Sequence, residues 1–122
     1  MKLKIKSVVD YGTHSSERVE LVVTADCNLK YYMLTDTTYT SENTISNKMR
    51  HMHWFYSKDV ISGDEVVLYT KKGTAKTESI KNGNNTRYII FWGLDSYIWN
   101  NSGDAALLFE INTWKTTKVD SR

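Results

Sequence analysis

Glu17-Arg18-Val19-Glu20-Leu21-Val22-Val23-Thr24 alternates with a period of two. Val19, Leu21 and Val23 point to one side and Arg18, Glu20 and Val22 to the other, the pattern of a half-buried β-strand. The same rhythm runs outward in both directions. Upstream, Lys2, Lys4 and Lys6 alternate with Leu3 and Ile5. That gives one apolar face and a lysine row that guards an edge strand against mispairing. Asp10-Tyr11-Gly12 through Ser16 supplies the turn between them.

Downstream, LKYYML (29–34), KMRHMHWFY (48–56), EVVLYT (65–70), RYIIFW (87–92), AALLFEI (105–111) and WKTTKV (114–119) read as further strands. RYIIFW is dense in β-branched and aromatic residues, which predicts an interior strand. Gly, Asn and Asp clusters at Ser62-Gly63-Asp64, Lys71-Lys72-Gly73, Asn82-Gly83 and Asn100–Asp104 mark turns. Thr35–Asn47 reads as one long loop, Thr74–Thr86 as a polar connection, and Asn112-Thr113 as the link of a last hairpin. No segment holds a helical period over three turns. The expectation is an all-β, immunoglobulin-like antiparallel β-sandwich of about eight or nine strands.

The 122 residues form one domain, 1–122, long enough to bury a core without staples. A composition of 40% hydrophobic and 25% charged residues argues against disorder. Sixteen Lys and Arg against fourteen Asp and Glu leave a net charge of +2, too small to announce a nucleic-acid or membrane partner. Cys27 is the single cysteine and cannot form an internal disulfide, which favours a reducing compartment. The N-terminus lacks the apolar run of a signal peptide, and no stretch approaches the ~18 apolar residues of a membrane span. These features predict a cytoplasmic protein.

The later half carries an ordered set of features: HWFYSKDVISGDEVVLYTKKG (53–73), then RYIIFWGLDSYIWNNSGDAALLFEINTWKTTKV (87–119). Within it, IWNNSGDAALL (98–108) resembles the most distinctive motif of lamin tail domains. That motif is an apolar-aromatic pair, a polar turn ending in Gly-Asp, and a strand of small and aliphatic residues. ERVELVV (17–23) and LKYYMLTD (29–36) resemble the family's early strands. The resemblance spans roughly residues 3–119, with 54–119 its more specific part. The chain looks like a prokaryotic or viral member, since no coiled-coil heptads precede it. It departs from the pattern in lacking a proline before Gly63 and a glycine turn in 112–116. The resemblance implies an immunoglobulin-like sandwich without an active site of its own. Family members are linked to protein, DNA or membrane contacts, and many bacterial examples are appended to enzymes.

Three constellations are candidates for function. The first is aromatic. Trp92 and Trp99 belong to the core, while Trp54, Tyr56 and Trp114 lie at strand ends, where exposed rings would suit a protein partner or self-association. The second is basic. Lys71, Lys72, Lys76, Lys81 and Arg87 form the densest cationic region, and joined in space to Lys2, Lys4 and Lys6 they would make a nucleic-acid face. The third is a metal pair. His51 and His53 share one side of a strand about 6.6 Å apart, but zinc needs a third ligand and His14 is the only other histidine. The plainer reading of that pair is two polar residues on a solvent-facing edge. No nucleophile arrangement, carboxylate pair or phosphate loop stands out, and no cofactor or small-molecule substrate is implied. The reading is a non-catalytic binding or structural module. The alternatives are a nucleic-acid-binding domain and a metal-binding protein.

Overall fold

The computed structural model describes residues 1–41, 44–100 and 103–120. In chain order the strands are β1 (Leu3–Val9), β2 (Arg18–Val23), β3 (Cys27–Asn28), β4 (Tyr32–Ser41), β5 (Thr44–Ile45), β6 (Met52–Trp54), β7 (Asp59–Val60), β8 (Glu65–Tyr69), β9 (Lys76–Ile80), β10 (Asn85–Phe91) and β11 (Asp104–Glu110). Two single 3₁₀ turns, Leu29–Tyr31 and Lys81–Gly83, are the helical segments among the described residues. None of the described helices is long and apolar enough to cross a membrane.

Period-two patterning builds the first sheet. Its order is β1-β2-β8-β10-β9. Along β2 every second residue is buried, with Val19, Leu21 and Val23 facing inward as the alternation requires. β8 and β10 occupy central positions, and their runs EVVLY and RYIIF pair in parallel, Val67 opposite Ile89 and Leu68 opposite Ile90. Nearly continuous apolar sequence suits a strand covered on both faces. β1 lies at one edge, where the lysine row belongs, and a bulge between Ile5 and Ser7 breaks its register.

The second sheet has the order β11-β4-β5, with β6 pairing along the other half of β4. β3 and β7 form a small two-stranded clasp. The inner faces close on a core of Leu3, Val19, Leu21 and Val23 from β1 and β2, Val66, Leu68, Tyr88 and Ile90 from β8 and β10, and Tyr32 and Leu34 from β4, completed by Leu29, Phe55 and Trp99. Leu108 and Ala106 of β11 pack against it. The chain is thus an all-β sandwich, with eleven strands among the described residues and one parallel pair among its antiparallel pairings.

Several expected boundaries move. Thr35–Asn47 is mostly strand, because β4 runs on to Ser41 and β5 returns beside it. Threonine is β-branched and favours extended backbone; Thr35 is buried between β11 and β6, and Thr37 between β11 and Ser46, whose carbonyl accepts from its hydroxyl at 2.7 Å. The polar connection Thr74–Thr86 contains the edge strand β9, closed onto β10 by a turn in which Asn82 and Gly83 take left-handed backbone. The segment 48–56 supplies only the short β6. The expected strand over 114–119 and its hairpin are absent: residues 111–120 form no strand.

Buried carboxylates lock the connections. Glu17 is fully buried and accepts hydrogen bonds from Gly12 N, the Thr70 hydroxyl and Ile98 N, joining three separate segments. Asp64 accepts from Ile61 N, the Asn85 side chain and Thr86 N. Burial alone would raise the Asp64 pKa, but those donors outweigh it and hold the carboxyl below its ordinary range. Gly63 sits above this network at φ +95, and a Cβ there would lie 2.7 Å from Asn85 Oδ1.

Candidate functional site

Leu34 points into the core, so Met33 and Thr35 on either side face outward. Register then assembles the outer face of the second sheet. Phe109 and Trp54 flank Met33, and Leu107 and Met52 flank Thr35. Apart from Thr35, which its neighbours bury completely, these side chains are apolar, and the face is most open at its β6 side, where Met52 is 62% and Trp54 47% exposed. Tyr31 and Trp114, 39% and 43% exposed, extend it.

The three rings touch. Trp114 stands edge-on to Trp54, with centroids 4.9 Å apart and planes at 89°. It meets Tyr31 at 5.9 Å and 58°. Edge-to-face geometry is the favoured arrangement of such pairs. Trp54 is fixed further by its indole N–H, which donates to Lys30 O at 2.7 Å. The Lys30 ammonium lies 5.2 Å from the Tyr31 ring centre. Of the residues expected from sequence, Trp54 and Trp114 therefore come together. Tyr56 does not join them. It lies beside Tyr88 of the first sheet, and burial, with Tyr88 adding to it, raises its phenol pKa. Sequence reasoning missed Tyr31 and Met52. The period-two step from Trp54 back to Met52 is the signal that finds the latter.

His51 and His53 both turn toward Trp92, at 6.4 and 5.9 Å between ring centres, but in different surroundings. His51 is held by Asp36, whose carboxylate accepts from His51 N at 2.6 Å and lies 3.0 Å from Nδ1. His53 packs edge-on to Phe55 at 5.0 Å, and its Nε2 is buried without a hydrogen-bond partner. Burial lowers its pKa. The expected solvent-facing edge fails for His53, which β6 turns inward opposite Leu34, while the His51 side chain stays 38% exposed. His14 is engaged elsewhere, with Nε2 2.8 Å from Leu94 O. Among the described residues no three His, Cys, Asp or Glu side chains gather as a metal would need.

The cations are spread out. Lys2, Lys4 and Lys6 lie on or beside β1, and Lys76 lies on β9. These are opposite edges of the five-stranded sheet, about 19 Å apart by strand spacing. Arg87 pairs with Glu65 at 2.9 Å and Glu78 at 3.4 Å, and the Glu65 hydrogen bond raises its pKa. Lys72 pairs with Asp95 at 3.0 Å, Lys81 donates to Gly63 O, and Lys71 lies over the Tyr69 ring. The outer face of this sheet forms a shallow hollow of about 630 Å³. Lys6, Arg18 and Arg87 line it together with Glu20, Glu65 and Glu78, so its charges cancel.

No family model matches the chain, and no curated protein matches it. Geometry is therefore the ground for the functional reading. It offers an aromatic face with rings held in place, a charge-balanced hollow, and carboxylates already spent on backbone donors.

Proposed function

We infer that the chain is a non-catalytic binding module of lamin-tail type, engaging a protein partner or a second copy of itself through the outer face of its second sheet. One observation carries this reading: Trp114 touches both Trp54 and Tyr31, and Met52 stands on the same face of β6 as Trp54, so that four exposed aromatic and apolar side chains gather at one side of the second sheet. Aromatic residues and methionine are enriched at interface cores, and a patch rimmed by polar residues is the usual mark of an interaction site. The lamin-tail resemblance of 54–119 agrees, since that family works through its surface.

The test compares wild type with Met52→Lys, which places a charge on the open face without entering the core. Size exclusion with light scattering reads self-association, and quantitative affinity capture from the source cell reads a heterologous partner. The variant is expected to lose a species that wild type retains. The same oligomeric state and the same captured proteins in both would remove the reading.

A further inference from the structure

The contact between Trp114 and the sheet is unlike the other contacts of the aromatic face. Among the described residues, the last ladder-type bond runs from Ile111 N to Tyr31 O at 2.7 Å. Beyond it, residues 112–120 form no strand or helix and are exposed. Among the described residues, the segment's polar and aromatic interactions reduce to the two ring contacts of Trp114, with Trp54 and with Tyr31.

The receiving side is built independently of that segment. Trp54 belongs to β6, paired with Met33 of β4, and its indole N–H is tied to Lys30 O. The next residue, Phe55, donates its N–H to Tyr32 O at 3.2 Å and is buried in the core. Tyr31 closes a 3₁₀ turn capped by Asn28, whose side chain accepts from Lys30 N at 2.9 Å. A second hydrogen bond, from Lys58 N to the same Asn28 oxygen at 3.1 Å, fastens that cap to the neighbouring segment. A fixed notch therefore meets a segment whose polar and aromatic contacts, among the described residues, are those of a single ring. The chemistry of the occupant is on display: an indole carried on extended, polar, lysine-containing backbone, Asn112-Thr113-Trp114-Lys115-Thr116-Thr117-Lys118.

We propose that the Trp54–Tyr31 notch is a receptor for an aromatic ring carried on an extended polypeptide segment, that the 112–120 segment is its resident occupant, and that a partner segment of the same chemistry displaces it. This rests on the binding-module reading and names the partner's form. Two residues separate Ile111 from Trp114, so the resident ring competes at an effective concentration in the millimolar range. A free segment making the same contacts competes poorly against it. Vacating the notch removes that competition.

The probe is a fluorescently labelled synthetic peptide with the sequence of residues 111–120, titrated into the full chain and read by anisotropy. Trp114→Ala is expected to bind it saturably, roughly tenfold or more tighter than wild type does. The same peptide with alanine in place of its tryptophan is expected not to bind. Trp54→Ala/Trp114→Ala is expected to lose binding. Because Trp54 contributes to β6, amide chemical-shift mapping on Trp114→Ala alone gives a second readout, with shifts confined to 29–33 and 52–55. Absence of saturable binding to Trp114→Ala up to about 2 mM, equal binding after Trp54 is removed, or shifts elsewhere would overturn the proposal. None of these outcomes touches the Met52→Lys comparison, so the notch can fail while the wider module reading stands.

Discussion

Gly73 lies against the ring of Phe91, and replacing it with alanine tests how tightly the far end of the first sheet is stacked. A Cβ at position 73 would lie 2.4 Å from Phe91 Cδ1, 2.5 Å from Cε1 and 2.8 Å from Cγ. Van der Waals contact between carbons needs about 3.5 Å or more, so the ring must move by about an ångström. It cannot do so freely. Phe91 stacks on Tyr69 at 5.4 Å and 17°, and Arg18 lies 5.8 Å over the Tyr69 ring. Overpacking of this kind costs about 1–3 kcal/mol, and a disturbed aromatic pair adds about 0.5–1.5 kcal/mol. Allowing for partial escape of the half-buried ring, Gly73→Ala should destabilise the fold by about 2 kcal/mol. For 122 residues that lowers Tm by about 8 °C. The assay is urea unfolding followed by circular dichroism, with Phe91→Ala and the double variant completing a cycle. In the Phe91→Ala background the same substitution should cost less than about 0.5 kcal/mol, leaving a coupling of about 1.5 kcal/mol. A Gly73→Ala protein within about 0.5 kcal/mol of wild type, or an equal loss in both backgrounds, would refute the reasoning.

Glu17→Ala strips the shared acceptor from Gly12 N, Ile98 N and the Thr70 hydroxyl. At about 1–3 kcal/mol per stranded buried donor, with partial rewetting, the loss should be about 4 kcal/mol in urea unfolding. A loss under about 1 kcal/mol would mean the three segments hold together without it. His53 gives a pH dependence with a definite sign. Burial lowers its pKa in the folded protein, so the unfolded chain takes up the proton first. Its contribution is intact above the ordinary histidine pKa of about 6.5 and shrinks as pH falls through that value towards the lower folded-state pKa. Wild type should therefore lose more stability between pH 7.5 and pH 5 than His53→Phe does, and parallel urea midpoints for the two proteins would count against buried neutral His53. Gly63→Ala should also destabilise, since the position combines φ +95 with an Asn85 oxygen 2.7 Å from the added carbon, and thermal unfolding reads it directly.

How far the fold could be read beforehand follows from where packing agrees with local pattern. β2 and β10 obeyed period two and apolar density, because each is flanked on both sides and its burial is set by its own alternation. β4 was hidden. Its Thr35-Asp36-Thr37 core looks like loop chemistry until Asp36 finds His51, a partner fifteen residues away that no local rule connects to it. β9 was hidden for the opposite reason: KTESI is an exposed edge strand held by its ladder with β10 and by the Glu78–Arg87 ion pair, with no apolar pattern to announce it. WKTTKV misled because Trp, Thr and Val are strand-favouring residues, whereas among the described residues only Trp114 makes ring contacts with the sheet side. In the candidate site, Trp54 and Trp114 were visible as residues, and their meeting was not. It depends on the register of β6 against β4 and on a segment that leaves the sheet after Ile111.

The partnership of β4 with β11 has a kinetic consequence. Thr38 pairs with Asp104, so the sheet is zipped between positions some sixty-six residues apart in sequence. Loops of that size close slowly, which places refolding toward the millisecond-to-second end for small domains. During synthesis the early strands emerge first, and one flank of β4 stays bare until β11 has been translated and has left the ribosome. The half-built sandwich then presents an open, greasy edge to solvent or to a chaperone, so misassembly is governed less by finished stability than by how soon β11 arrives.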